Sequence, residues 1–139
     1  YGYEFELGKA KTIRDGTDVL VVSTGFMTMR ALETARLLAA ERVDVAVLHV
    51  PTIKPLDEAT IVHEAGRGGR LVVVAENHTV IGGLGEAVAA ALLRAGVAPR
   101  TFRQVALPDA FLDAGALPTL HDRYGISAEA MATSIKSWL

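Results

Sequence analysis

The chain has 139 residues, half of them hydrophobic and 22% charged, so it is long enough for one hydrophobic core and too apolar to be disordered. Its formal net charge is −2 and its 14 Lys and Arg are scattered, which argues against nucleic acid or an anionic membrane surface as partner. The absence of cysteine excludes disulfides, thiolate catalysis and Cys-based metal sites, and is compatible with a reducing compartment.

The first five residues, Tyr1 to Phe5, are neither basic nor followed by an apolar stretch, so no signal peptide is expected. With no initiating Met, the chain reads as a piece of something longer. Residues 8–13, carrying Lys9 and Lys11, suit an exposed edge strand. Residues 19–23 are short, continuous and Val-rich, as a buried parallel strand would be. A helix follows, with Ala31, Leu32, Ala35, Leu38 and Ala39 at helical spacing and Arg30, Glu33 and Arg36 on the other face. Residues 43–49 are a second buried strand, left through the stiff loop Pro51 to Pro55. Asp57 is placed to cap the next helix, with Leu56 and Ile61 as its hydrophobic staple and Gly66, Gly68 and Gly69 as its end.

Residues 70–76 form the third buried strand, and Gly82-Gly83-Leu84-Gly85 leads into a helix over 86–95 that is apolar nearly all round. Such a helix is buried on more than one side, either against the sheet and a neighbouring helix or against another chain. Residues 101–107 suit the other edge strand. Helices are expected over 117–124 and 127–138, the latter capped by Ser127 and presenting Ala128, Met131, Ile135 and Trp138 on one face. None of these segments approaches the length of a bilayer span. One domain, residues 1–139, fits as three layers, α/β/α, with helices on both faces of a mostly parallel sheet.

In such sheets ligands bind beyond the carboxyl ends of the strands, where the strand order reverses. The candidates are Ser23, Thr24 and Gly25 after the first core strand, and Glu76, Asn77 and His78 after the third. The latter run into the glycine loop of Gly82, Gly83 and Gly85. Free N–H groups at that helix start could hold a small anion, with Glu76 and His78 adding charge or proton transfer. The loop matches neither the dinucleotide fingerprint nor a P-loop, so a structural turn permitting close packing is the preferred reading. His49, at a strand end, is expected to be a hydrogen-bonded structural residue. No pair of His49, His63, His78 and His121 has helical metal-site spacing. A Ser23–His78–Asp109 hydrolase set is arithmetically possible but lacks the G-x-S-x-G elbow.

Taken together, several of these segments resemble the transketolase C-terminal domain. Asp18 to Gly25 resembles its first core strand, and Thr52 to Asp57 its T-I-K-P-L-D loop. LVVVAENHTVIGGLG, residues 71–85, resembles its V-V-x-E-x-H/N-x-x-x-G-G-x-G segment. Pro108 to Phe111 resembles its D-x-F turn, and Tyr124-Gly125-Ile126 its Y-G-L step. The pattern looks most like the C-terminal section of split-type transketolases, with 1-deoxyxylulose-5-phosphate synthase and the β subunit of 2-oxoacid dehydrogenases as relatives. The resemblance implies a five-stranded mixed sheet in order 1-3-2-4-5, its first strand antiparallel. It also implies a cytoplasmic parent enzyme that uses thiamine diphosphate and Mg²⁺. There the cofactor sits between a pyrophosphate-binding domain or subunit and a preceding pyrimidine-binding domain, while the third domain supports a homodimer.

This chain has Arg14-Asp15-Gly16 in place of the G-D-G of the pyrophosphate motif, and Asn77 is its only asparagine. No catalytic, cofactor-binding or metal-binding residue is therefore expected in it. Three functions stay open. They are a supporting domain of a ketol-transferring enzyme, a stand-alone anion or nucleotide module using residues 76–86, and an oligomerisation domain using the apolar helix or the C-terminal one.

Overall fold

The computed structural model describes residues 2–139; Tyr1 lies outside them. Ten elements follow one another: β1 (Lys11–Arg14), β2 (Val19–Ser23), α1 (Met27–Ala39), β3 (Val45–His49), α2 (Glu58–Gly66), β4 (Leu71–Thr79), α3 (Leu84–Arg94), β5 (Thr101–Leu107), α4 (Leu117–Arg123) and α5 (Ala128–Trp138). The five strands form one sheet in the order β1-β3-β2-β4-β5. β1 runs antiparallel to β3, and the remaining pairs are parallel. The implied topology is thus the observed one. Among the described residues no helix is long and apolar enough to cross a membrane.

Strand alternation divides the core in two. Val19, Val21, Val45, Val47, Leu71 and Val73 face α1 and α5, where Met27, Ala31, Leu38, Met131 and Ile135 are buried. Leu20, Val22, Ala46, Leu48, Val72 and Val74 face α2 and α3, against Ile61, Leu84, Val88 and Leu92. Helix α3 therefore buries one face on the sheet and α2, while Leu93 stands 82% exposed. Within this chain, its apolar girth reflects the sheet and a neighbouring helix.

The strand boundaries differ from expectation for local reasons. β1 begins at Lys11 rather than residue 8, because the Gly8 and Ala10 N–H groups donate to Thr52 Oγ1 and Asp57 Oδ2 instead of to a ladder. β3 begins at Val45: Arg42 adopts φ +63°, and the Val43 N–H turns back to the Leu38 carbonyl. β4 continues to Thr79, past the expected end at 76, because a register shift between Ala75 and Thr79 lets it rejoin β5 at Leu107. Glu76, Asn77 and His78 thus lie in the bulged end of a strand rather than in a loop after it.

Candidate functional site

β2 and β4 are neighbours at the point where the strand order reverses, and their carboxyl ends place Thr24 beside Glu76. The Thr24 N–H reaches back to the Ala75 carbonyl at 3.4 Å. Thr24, Gly25, Asn77, His78, Gly82 and Gly83 line a shallow crevice of about 370 Å³, together with Glu76 and the apolar side chains of Phe26 and Ile53. Seven of the residues singled out from the sequence therefore converge on one place. Ser23 and Gly85 do not line it. Phe26 and Ile53 were missed; the only signal for Phe26 is a large apolar residue where a helix start normally takes a polar cap.

Glu76 continues the series Val72, Val74 and so points toward α3, where it is 1% exposed. Its carboxylate accepts the Leu84 N–H at 2.7 Å and the Gly85 N–H at 2.8 Å. These are first-turn amides that have no partner within the helix. The anion held at this helix start is thus the chain's own side chain. Gly83 makes room for it, and Gly85 makes room for the Gln104 side chain. A Cβ on Gly83 would stand 2.0 Å from Glu76 Oε2, and one on Gly85 would stand 1.9 Å from Gln104 Nε2. Gly82 takes φ +78°, and its N–H donates to Glu86 Oε2 at 2.8 Å, which closes the turn. The Leu84 and Gly85 amides thus carry an internal carboxylate cap, in keeping with a turn that permits close packing.

Ser23 faces the opposite side of the sheet. It is fully buried and donates to Thr28 Oγ1 at 3.0 Å, and the Thr28 hydroxyl is hydrogen-bonded to His49 Nδ1 at 2.7 Å. Tyr3 packs edge-on against the His49 ring, with centroids 5.0 Å apart, and burial holds that imidazole below its ordinary 6.5. His49 is a hydrogen-bonded structural residue, as expected. The His78 ring instead accompanies the Thr79 carbonyl at 2.9 Å. Ser23, His78 and Asp109 are not brought together as a nucleophilic set.

At the far end of the sheet the 14–16 segment makes packing contacts. Arg14 bonds the Asp44 carboxylate at 3.1 Å, and Asp15 pairs with Arg67 at 3.0 Å. Gly16 lies so close to the β3 backbone that a Cβ would meet Val45 C at 2.4 Å. Arg70, 3% exposed, bonds the Gly16 carbonyl and the Glu64 carboxylate. Burial pushes the Glu64 carboxyl up, but hydrogen bonds from Arg67 and Arg70 outweigh that and hold it below 4.5. Among the described residues no three imidazole or carboxylate side chains converge as metal ligands would.

Residues 8–131 match the family described as transketolase, C-terminal domain. The chain is 69% identical, over all 139 residues, to 40% of an "uncharacterized transketolase family protein y4mN" of Sinorhizobium fredii. It is 38% identical over 133 residues, or 96% of its length, to 21% of a 1-deoxy-D-xylulose-5-phosphate synthase of Syntrophotalea carbinolica. A solved "split gene transketolase, inactive beta4 tetramer" superposes with a TM-score of 0.86 at 35% identity, over 97% of this chain and 43% of that one. The chain spans less than half the length of each of these proteins. With the sheet order and these likenesses in agreement, the chain belongs to the transketolase C-terminal domain family.

Proposed function

We propose that this chain is the C-terminal supporting and dimer-interface domain of a cytoplasmic, thiamine-diphosphate-dependent transketolase-type enzyme. That enzyme moves two-carbon ketol units between sugar phosphates, and its other domains hold the cofactor and Mg²⁺. The observation that carries the reading is the Glu76 carboxylate on the Leu84 and Gly85 amides. The glycine-rich helix start where a diphosphate would be sought holds a side chain instead. Asp15 is committed to Arg67, so the residues present do not fit a diphosphate with its metal. Ketol transfer between sugar phosphates tests the proposal. Turnover is expected when the chain is joined to its cofactor-binding domains and none when it is alone; turnover by the chain alone would overturn the reading.

Two further readings have support of their own. The likeness to the Syntrophotalea carbinolica synthase supports a 1-deoxyxylulose-5-phosphate synthase parent, which an assay of the parent for synthase activity separates from ketol transfer. The convergence of Thr24, Asn77 and His78 on one crevice supports a small-anion or nucleotide module. A thermal-shift panel of phosphates and nucleotides distinguishes it, since a true ligand raises the melting temperature by mass action. No shift is expected for a supporting domain.

A further inference from the structure

The exposed apolar side chains of this domain are unevenly placed. Among the described residues, the large ones left exposed fall at the carboxyl end of the parallel strands, with only Leu93 and Leu139 elsewhere. Phe26 and Met29 start α1, Ile53 follows β3, Ile81 follows β4, and Phe111 lies between β5 and α4. The N-terminal segment adds two more, held at this end by the Gly8-to-Thr52 and Ala10-to-Asp57 hydrogen bonds. Phe26 remains 51% exposed although the His121 ring and the Arg30 guanidinium pack against it, and Phe111 is wholly exposed. Ion pairs lie mostly at the opposite end, Arg14 with Asp44, Arg67 with Asp15 and Lys136 with Glu41, while Arg123 pairs with Asp113 in the connection that carries Phe111.

An apolar surface drawn from five separate connections, confined to one end and rimming a crevice, is the signature of a protein-binding face. A small-anion site would not need it, and the Glu76 carboxylate beneath the crevice disfavours an anion there. More than half of the length of the Sinorhizobium fredii relative lies outside the part this chain matches, so a parent of that kind contains a partner large enough to cover the face.

We infer that the carboxyl end of the sheet is the docking face for the remainder of the parent protein, whose apolar surface covers Phe111 and places a side chain in the crevice between Phe26 and Ile53. This rests on the reading of the chain as one domain of a larger enzyme, but not on that enzyme's cofactor or substrate. Hydrogen–deuterium exchange comparing this chain with its full-length parent tests it without any activity measurement. Amides around Ile53, Ile81 and residues 108–116 are expected to exchange at least about tenfold more slowly in the parent, while those around Leu93 and Arg67 are unchanged. The double variant Ile53→Asp, Phe111→Asp, made in the parent, should restore fast exchange at this face. Phe111 is free of the domain's own packing and Ile53 is 43% exposed, so the chain carrying both changes should keep its melting temperature. Equal exchange in parent and chain, or protection centred on Leu93, overturns the inference. Protection that instead grows with concentration in the isolated chain overturns it too, by assigning the face to a second copy.

Discussion

Glu76 sits at the meeting of strand, turn and helix, and its environment makes three separate residues depend on it. Its two oxygens satisfy the Leu84 and Gly85 amides, and Gly83 has no Cβ because the carboxylate occupies that space. Glu76→Ala leaves two buried donors unpaired and is expected to cost roughly 2–5 kcal/mol, with Glu76→Gln, which keeps one acceptor oxygen, costing less. Gly83→Ala must push the carboxylate aside and is expected to cost about 1–3 kcal/mol. Urea denaturation midpoints check the order; a neutral Glu76→Ala would contradict the capping role. His49 gives a pH dependence of known sign. Its native imidazole is held below 6.5 by burial, so the unfolded chain binds the proton more readily. The stability it contributes is complete above pH 6.5 and is lost as the pH falls through the lower native value. His49→Gln, which keeps a hydrogen-bonding group for Thr28, is expected to flatten that part of the stability–pH curve; an unchanged slope would assign the dependence to other groups.

At the scale of elements, Asp57 shows why one helix start was legible and another was not. It caps α2 by accepting the Thr60 N–H at 3.2 Å, and it also receives the Thr60 hydroxyl and the Ala10 N–H. Burial pushes its carboxyl up, but these hydrogen bonds outweigh that and hold it below 3.8, so its contribution is lost only as the pH falls through that lowered value. Asp57→Ala is expected to cost about 2 kcal/mol, at the upper end for a cap because the N-terminal segment loses an anchor as well. Faster amide exchange at Ala10 would accompany it. An N-cap three residues before its target is a local pattern, and it reads directly from sequence.

The cap of α3 comes instead from a residue eight positions away on a strand, so the start at Leu84 rather than residue 86 had no local signal. The same distinction explains the strands. The three Val-rich cores were legible because burial on both faces leaves a continuous apolar run. The extension of β4 to Thr79 depends on rejoining β5 at Leu107, a long-range pairing that no periodicity announces. In the crevice the polar residues were legible as the ends of two adjacent strands. Phe26 and Ile53 were not, because an apolar residue outside the core carries no pattern until the surface around it is known.

At the scale of the molecule, two apolar layers enclose a five-stranded sheet, and the buried polar groups are directed inward. The buried serine serves Thr28, and the buried glutamate serves a helix start. What faces outward at the carboxyl end is apolar surface around a crevice that also carries Thr24, Asn77 and His78. A supporting role within a larger enzyme accounts for both facts. The most direct test is calorimetric titration of this chain with thiamine diphosphate in the presence of Mg²⁺. No saturable heat is expected, whereas stoichiometric, tight binding by the chain alone would contradict the account.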